Sequence, residues 1–381
     1  MKILVSAGEA SGDLYAAMLV EELRRRRPGA EFFGCTGPRM RAAGVRTVVD
    51  AASLAVVGLF EVLGDIPRIW GEFRKLLGAA RETRPDLAIL TDSPDFHLRL
   101  ARRLHRQGIP VVYLIAPQAW AWRRHRVKAM RRDLRHLLCI FPFEEKFFRD
   151  EGVAATYVGH PLAGMVRAGV SREEFFRKHG LPVSRPVITV LPGSRRGEAS
   201  RHMPELLDAI ERLNRWRASS FVLPASATTG AAFFRERIGA APIQVIEGES
   251  WNAMAHADVV LAASGTVTIE AALLGAPMVT FYRVSQVSWT AGRWLVDAPF
   301  LTMVNLVAER RIVPELIQHE MTGERIADEA RRLLEDEAAR ARMRADLAET
   351  ARRLSPGGAA PMERAAAVIE GLMEGQAAHV S

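Results

Sequence analysis

The chain is predicted to be an α/β protein built from two Rossmann-like domains, each a parallel sheet wrapped by helices, that face a cleft. Three observations carry this expectation. Short apolar runs alternate with helix-length stretches through both halves. Loops rich in glycine and hydroxyl residues follow apolar runs at Gly8, Gly193 and Gly265. Those are positions where open α/β sheets present backbone N–H groups to nucleotides. The alternation also restarts after Val158-Gly159-His160-Pro161-Leu162.

The first strand is expected at 3–5, followed by a helix at 11–26 with Ser11 and Asp13 as cap candidates. Proline punctuates the later runs, which places strands at 31–35, 87–90 and 111–115. A basic helix at 123–135 precedes a strand at 137–140, and a helix at 171–179 opens the second half. The second series places strands at 187–191, 220–224, 243–246, 259–262 and 278–282, with helices between them. Residues 299–315 read as a loop-rich stretch. One long helix is expected at 324–354, with Ile326, Leu333, Leu334, Met343 and Leu347 near one stripe. Ser355-Pro356-Gly357-Gly358 ends it, and a last helix follows at 362–373. The expected domains are 1–165 and 166–354, with a helical segment at 355–381 packing back toward the first.

The 381 residues accommodate two domains, and 49% hydrophobic with 25% charged residues is the composition of a soluble globular protein. Cys35 and Cys139 lie far apart among apolar neighbours and read as reduced core thiols of a cytosolic protein. The net charge of +8, carried mostly by arginine, suits nucleic acid, a membrane surface or an anionic substrate. It equally suits a composition bias with solvated helix faces. No secretory leader is expected, because the apolar run at 2–6 is too short and runs into a glycine loop. Residues 259–282 lack Lys and Arg, but Glu270 and the breaks at Gly265, Gly275 and Pro277 argue against a membrane span. The histidines lack paired ligand spacing, so no metal site is expected.

Several motifs carry chemistry. Gly8-Glu9-Ala10-Ser11-Gly12-Asp13 joins a strand to a helix and would aim N–H groups at an anion, with Glu9 and Asp13 adding hydroxyl recognition. An ordinary capped turn is the competing reading. Thr91-Asp92-Ser93-Pro94-Asp95-Phe96 offers two carboxylates as candidate general bases for a sugar hydroxyl, or simply a cap and a turn aspartate. Ala116-Pro117-Gln118-Ala119-Trp120-Ala121-Trp122-Arg123 could form an aromatic and basic wall for a sugar face, lipid head groups or nucleic acid. Its bland alternative is one core tryptophan beside a solvated helix. The apolar, glycine-broken segment at 56–70, with Arg68, Arg74 and Lys75 nearby, fits a membrane interface or a core-packing helix.

In the second half, Leu191-Pro192-Gly193-Ser194-Arg195 combines backbone donors at Gly193 and Ser194 with the planar cation of Arg195, a pairing suited to a diphosphate. The loop lacks the Gly-Lys-Ser/Thr ending of a P-loop, which argues against an ATPase. Ser264-Gly265-Thr266 follows another apolar run, and Glu270, one turn on, is an acceptor suited to ribose hydroxyls. Together these loops suggest a nucleotide-sugar diphosphate site. Asn305, Glu309 and Glu315 are further candidates to close over a nucleotide.

In order and spacing these motifs resemble the bacterial lipid-A-disaccharide synthase family, inverting glycosyltransferases of the GT-B architecture. The resemblance runs from Gly8 to about Gln318. It is carried by the Gly8, Asp92, Trp120, Gly193 and Ser264 motifs above. Phe141-Pro142-Phe143-Glu144, Val158-Gly159-His160-Pro161-Leu162, Asn305-Leu306 and Pro314-Glu315-Leu316 complete it. It implies that UDP-2,3-diacylglucosamine donates its sugar to the 6-hydroxyl of 2,3-diacylglucosamine 1-phosphate (lipid X), releasing UDP. Domain 1–165 would then bind the acceptor and dock on the membrane, and domain 166–354 would bind the UDP-sugar.

The resemblance further implies Asp92 or Asp95 as the base, with Asp92 preferred because it lies nearer the strand end. Arg195 would neutralise the leaving diphosphate with Ser194, Ser264, Gly265 and Thr266, and Glu270 would hold the ribose. Gly8, Glu9, Ser11, Gly12, Asp13, Gln118, Trp120, Gly193 and Asn305 complete the expected substrate contacts. The substrates are acylated, so the 56–70 segment becomes a peripheral docking surface for the cytoplasmic leaflet of the inner membrane. Neither a nucleic-acid partner nor an essential metal or cofactor is implied, and an oligomer is compatible. The alternative is another GT-B enzyme of UDP-N-acetylglucosamine, either the peptidoglycan N-acetylglucosaminyltransferase or an epimerase. The Trp120-Ala121-Trp122 segment and the Asp92 loop argue against both.

Overall fold

The computed structural model describes residues 1–54, 62–285, 289 and 298–380, with the backbone alone at 62–66 and 375–380. The chain divides into two units, Met1–Pro161 with Ser355–Ser381, and Leu162–Leu354.

In the first unit the strands are β1 (Lys2–Ser6), β2 (Glu31–Thr36), β3 (Arg46–Asp50), β4 (Leu87–Thr91), β5 (Val111–Leu114), β6 (His136–Cys139) and β7 (Ala155–Tyr157). They pair in the order β3-β2-β1-β4-β5-β6-β7, and every pair is parallel. Parallel sheets need cover on both faces, so their inner strands read as continuous apolar runs. β4, Leu-Ala-Ile-Leu-Thr, is buried throughout. The helices are α1 (Ala10–Arg26), α2 (Pro38–Ala42), α3 (Val62–Thr83), α4 (Pro94–His105), α5 (Arg126–Asp133) and α6 (Pro142–Asp150). Leu76 of α3, Leu100 of α4 and Met130 of α5 join Leu4, Leu90 and Tyr113 of the sheet in one core. The chain order reverses between β1 and β4, so the loops leaving these two strands flank a topological switch point, where such sheets bind ligands.

The second unit repeats the plan. Its elements are α7 (Arg172–His179), β8 (Val187–Leu191), α8 (Arg196–Trp216), β9 (Ser220–Ala225), α9 (Ala231–Ile238), β10 (Ile243–Glu247), α10 (Ser250–Ala255), β11 (Val259–Ala263), α11 (Thr266–Leu273) and β12 (Met278–Tyr282). α12 (Met303–Ala308), β13 (Glu315–Ile317), α13 (Gly323–Glu335) and α14 (Glu337–Leu354) follow. The parallel sheet runs β10-β9-β8-β11-β12-β13, with its switch point between β8 and β11. The closing helix, α15 (Pro361–Val380), belongs to the first unit. It buries Ala365, Ala366 and Ile369, and Arg26 of α1 and Arg27, which directly follows it, both reach its Glu370. Exposed ion pairs of this kind contribute at most about 1 kcal/mol each, so the apolar face anchors the helix.

The structure departs from the sequence reading at definite places. α1 begins at Ala10, so Ser11 and Asp13 lie inside it and do not cap it. The short edge strands β3, β7 and β13 carry too little apolar periodicity to be read beforehand. The long helix at 324–354 is two helices, divided at Asp336, whose carboxylate accepts the Ala339 N–H at 2.8 Å and so starts the second. The loop-rich stretch at 299–315 contains α12. Cys35 and Cys139 are free and buried. Among the described residues no helix is long and apolar enough to cross a membrane. Residues 56–61 of the expected docking segment lie outside the described residues, and its remainder opens α3.

Candidate functional site

In the first unit one carboxylate ties two strand-end loops together. Two residues separate β4 from α4, and both adopt left-handed backbone, Asp92 with φ 55° and Ser93 with φ 35°. Non-glycine residues seldom take this conformation, and it persists only where neighbours enforce it. Here the Asp92 carbonyl accepts hydrogen bonds from His97 Nδ1, at 2.9 Å, and from the Tyr113 hydroxyl. With Nδ1 as donor, His97 Nε2 accepts the Ser6 hydroxyl at 2.8 Å. His97 is fully buried, which pushes its pKa down to about 4 and keeps the ring neutral.

The Asp92 carboxylate accepts the Gly8 N–H at 2.8 Å and the Glu9 N–H at 3.0 Å. The glycines of the first motif exist for this contact. A Cβ on Gly12 would lie 1.8 Å from Asp92 Oδ2, and one on Gly8 would lie 2.8 Å from Ser93 Oγ. Burial pushes the Asp92 pKa up to about 7, against the lowering pull of the Gly8 and Glu9 N–H groups. A carboxylate poised near neutrality is matched to general-base work. Gly12→Ala is expected to displace this carboxylate and lower kcat by about 10²-fold, the lower end of what a positioned base contributes. Steady-state kinetics beside a thermal melt will show activity falling further than stability.

Asp95 has a different environment. Its side chain is 72% exposed and pairs with Arg123, at 2.9 Å, and with Arg126. Partial burial raises its pKa, but the two guanidiniums outweigh that and leave it below the ordinary carboxylate range. Asp95 is therefore the weaker base. Asp13 is corrected outright as a ligand contact, because its carboxylate accepts the backbone N–H groups of Gly37, Arg39 and Met40 and so caps α2. Trp120 donates its indole N–H to buried Glu144 at 3.1 Å, which leaves only ring surface for a ligand. Glu9, Ser11 and Gln118 are exposed on the same strand-end loops. Trp122 lies under the guanidiniums of Arg123 and Arg126.

In the second unit β8 leads into Gly193, with φ 117°, and then Ser194 and Arg195, which immediately precedes α8. A Cβ on Gly193 would lie 2.6 Å from Glu198 Oε2. The Glu198 carboxylate therefore packs directly against this loop, and burial raises its pKa. An acid thus lies beside the donors expected to meet a diphosphate. His202 buttresses the loop from beneath, with Nδ1 2.8 Å from the Pro192 carbonyl and Nε2 accepting the Arg283 N–H at 3.0 Å. Thr229 donates to the Ser194 carbonyl at 2.6 Å. Arg195 is exposed.

Across the second switch point, β11 ends at Ser264-Gly265-Thr266, where α11 begins and Gly265 and Thr266 are exposed. Ser264 Oγ donates to the Leu301 carbonyl at 3.1 Å. Glu270 accepts the Trp251 indole N–H at 3.0 Å and faces a cavity of about 550 Å³ shared with Arg167, Ser250 and Asn252. Burial raises its pKa.

Asn305 is corrected as a substrate contact. It is fully buried, its Oδ1 accepts the Ile312 and Val313 N–H groups, and its Nδ2 donates to the Val313 carbonyl and to Glu315. Glu315 in turn accepts the Thr302 N–H at 2.9 Å. These two side chains build the loop around α12.

Sequence reasoning missed His97, Tyr113, Glu198, His202 and Trp251. The available signal for His97 and His202 was position alone, within the first two turns of helices that leave the two candidate loops.

The lipid-A-disaccharide synthetase family model matches residues 3–368. A lipid-A-disaccharide synthase of Solibacter usitatus is 68% identical over 380 residues, covering 100% of both chains. One from Myxococcus xanthus is 44% identical and covers 98% of both. Among solved structures, a UDP-GlcNAc 2-epimerase from Neisseria meningitidis bound to UDP-GlcNAc superposes with a TM-score of 0.65 at 14% identity, over 98% of this chain and 100% of that one. Acinetobacter baumannii MurG does so with a TM-score of 0.57 at 14% identity, over 97% and 99%. At such identities the structural likeness speaks to the fold.

Proposed function

The chain belongs to the lipid-A-disaccharide synthetase family, which makes it a glycosyltransferase, and we propose that Asp92 is the base and Arg195 the leaving-group cation of its transfer. The donor is UDP-2,3-diacylglucosamine and the acceptor is 2,3-diacylglucosamine 1-phosphate. Asp92 takes the proton of the acceptor 6-hydroxyl as that oxygen attacks the anomeric carbon from the face opposite UDP. The bond to UDP breaks, the anomeric configuration inverts, and negative charge develops on the departing diphosphate. Arg195, with N–H groups of the Gly193 and Ser264 loops, meets that charge.

The observation that carries the reading is the Asp92 carboxylate, seated on two backbone N–H groups at the first switch point with a pKa raised to about 7. Supplying the purified protein with both acylated sugars tests it. The expected products are the disaccharide 1-phosphate and UDP. Turnover of UDP-N-acetylglucosamine with no acylated sugar present would contradict it.

Acylated substrates reside in a bilayer, so the reading includes peripheral docking on the cytoplasmic leaflet of the inner membrane. Trp70 of α3 is 53% exposed, and Arg68, Arg74 and Lys75 are exposed beside it, the composition of an interfacial helix. Trp70→Ser is expected to weaken co-sedimentation with anionic vesicles by about tenfold, the loss of one buried aromatic side chain. Unchanged binding would remove α3 from the docking surface.

A further inference from the structure

We infer that the cavity beside the Asp92 loop receives a fatty acyl chain of the acceptor, and that Leu54, Ile69 and Phe96 set the chain length the enzyme accepts. The inference rests on the reading of Asp92 as the base that faces the acceptor.

The cavity holds about 310 Å³ and is lined by Glu9, Ser93, Asp95, Pro94, Leu54, Ile69 and Phe96. Its lining is of two kinds. Glu9, Ser93 and Asp95 offer hydrogen-bonding groups, and Ser93 directly follows Asp92. Leu54, Ile69, Pro94 and Phe96 offer only apolar surface. A wholly polar sugar would leave that second group against water, whereas a sugar carrying a hydrocarbon chain matches both.

Behind the apolar side lies an aromatic stack. Phe96 packs edge-on against Phe73 with ring centroids 5.6 Å apart, and Phe73 stacks on exposed Trp70 at 5.3 Å. Phe73 is buried in the core, so this aromatic packing ties the cavity wall at Phe96 to exposed Trp70, the residue assigned to the bilayer. Phe96 also contacts buried His97 edge-on at 5.1 Å, so the apolar wall rests on the same ring that braces the Asp92 carbonyl.

Each methylene withdrawn from water favours binding about fourfold. Filling the cavity should therefore penalise long chains selectively. The test measures kcat/KM in one fixed detergent, for acceptors that differ only in acyl length, with the wild type, Ile69→Trp and Ile69→Ala. Ile69→Trp is expected to lower the ratio of long-chain to short-chain kcat/KM by about tenfold, the discrimination that one or two methylenes carry in an apolar pocket. Ile69→Ala adds no bulk and keeps the test open should the larger side chain unfold the helix. It is expected to move the optimum toward longer chains. If Ile69→Ala leaves the shape of the profile unchanged, or if Ile69→Trp lowers every acceptor by one common factor, the inference is overturned. Failure of the wild type to form disaccharide would instead overturn the proposed function, so the two failures are distinct.

Discussion

Asp92→Asn is expected to lower kcat by about 10²- to 10⁴-fold, the range that a positioned general base contributes. The amide is nearly isosteric, and the backbone bonds from His97 and Tyr113 that hold residue 92 in its left-handed conformation go to the carbonyl, so they survive the substitution. What is lost is the lone pair that receives the hydroxyl proton. Stability depends on pH through the same group. The folded pKa of Asp92 lies above its ordinary value, so its contribution to stability is present at low pH and is lost as pH rises through about 7. A neutral side chain removes that pH dependence, but its NH2 meets one of the two N–H donors that the carboxylate accepts. The variant should therefore melt lower than the wild type, with a flatter dependence on pH through neutrality. Asp95→Asn should cost far less, because that carboxylate already serves Arg123 and Arg126. Equal losses in the two variants would show that the base is misassigned.

Arg195→Ala is expected to lower kcat by about 10²- to 10³-fold, as when one donor to a developing anion is removed. Arg195 is exposed at the start of α8, so truncation leaves the core of the second unit intact. The charge it meets grows as the bond to UDP breaks, so kcat should fall more than KM for the donor rises. Arg195→Lys should recover part of the loss, because an ammonium keeps the charge but not the planar fork. Steady-state kinetics with varied donor decide the matter. A variant whose KM alone changes would place Arg195 in ground-state binding and not in leaving-group departure.

The parallel strands were legible because burial on both faces leaves continuous apolar runs, as in Leu87–Thr91 and Val259–Ala263. The loops that follow them were legible because glycine and proline mark where such strands end. Edge strands of three residues leave no such mark.

Within the candidate sites, residue type was legible but partnership was not. Asp13 and Asn305 carry ligand-like groups whose capacity is spent on backbone amides, for Asp13 at Gly37, beyond the next strand, and for Asn305 at Val313, across the loop that follows α12. Nothing local to either residue announces this. Conversely, His97 and Glu198 sit close in sequence to the loops they brace. Their importance follows only from the left-handed turn at Asp92 and from the close approach at Gly193. The reason for glycine at position 12 became plain once Asp92 Oδ2 was found where a Cβ would stand.

The most direct test is the pH dependence of kcat/KM for the acylated acceptor, in the wild type and in Asp92→Asn. Because Asp92 must be deprotonated to act and its pKa is raised to about 7, the wild-type value should fall on the acid side of neutrality, by tenfold for each pH unit. In Asp92→Asn that limb should vanish from the residual activity. A wild-type profile flat through neutrality, or the same acid limb persisting in Asp92→Asn, would contradict the account.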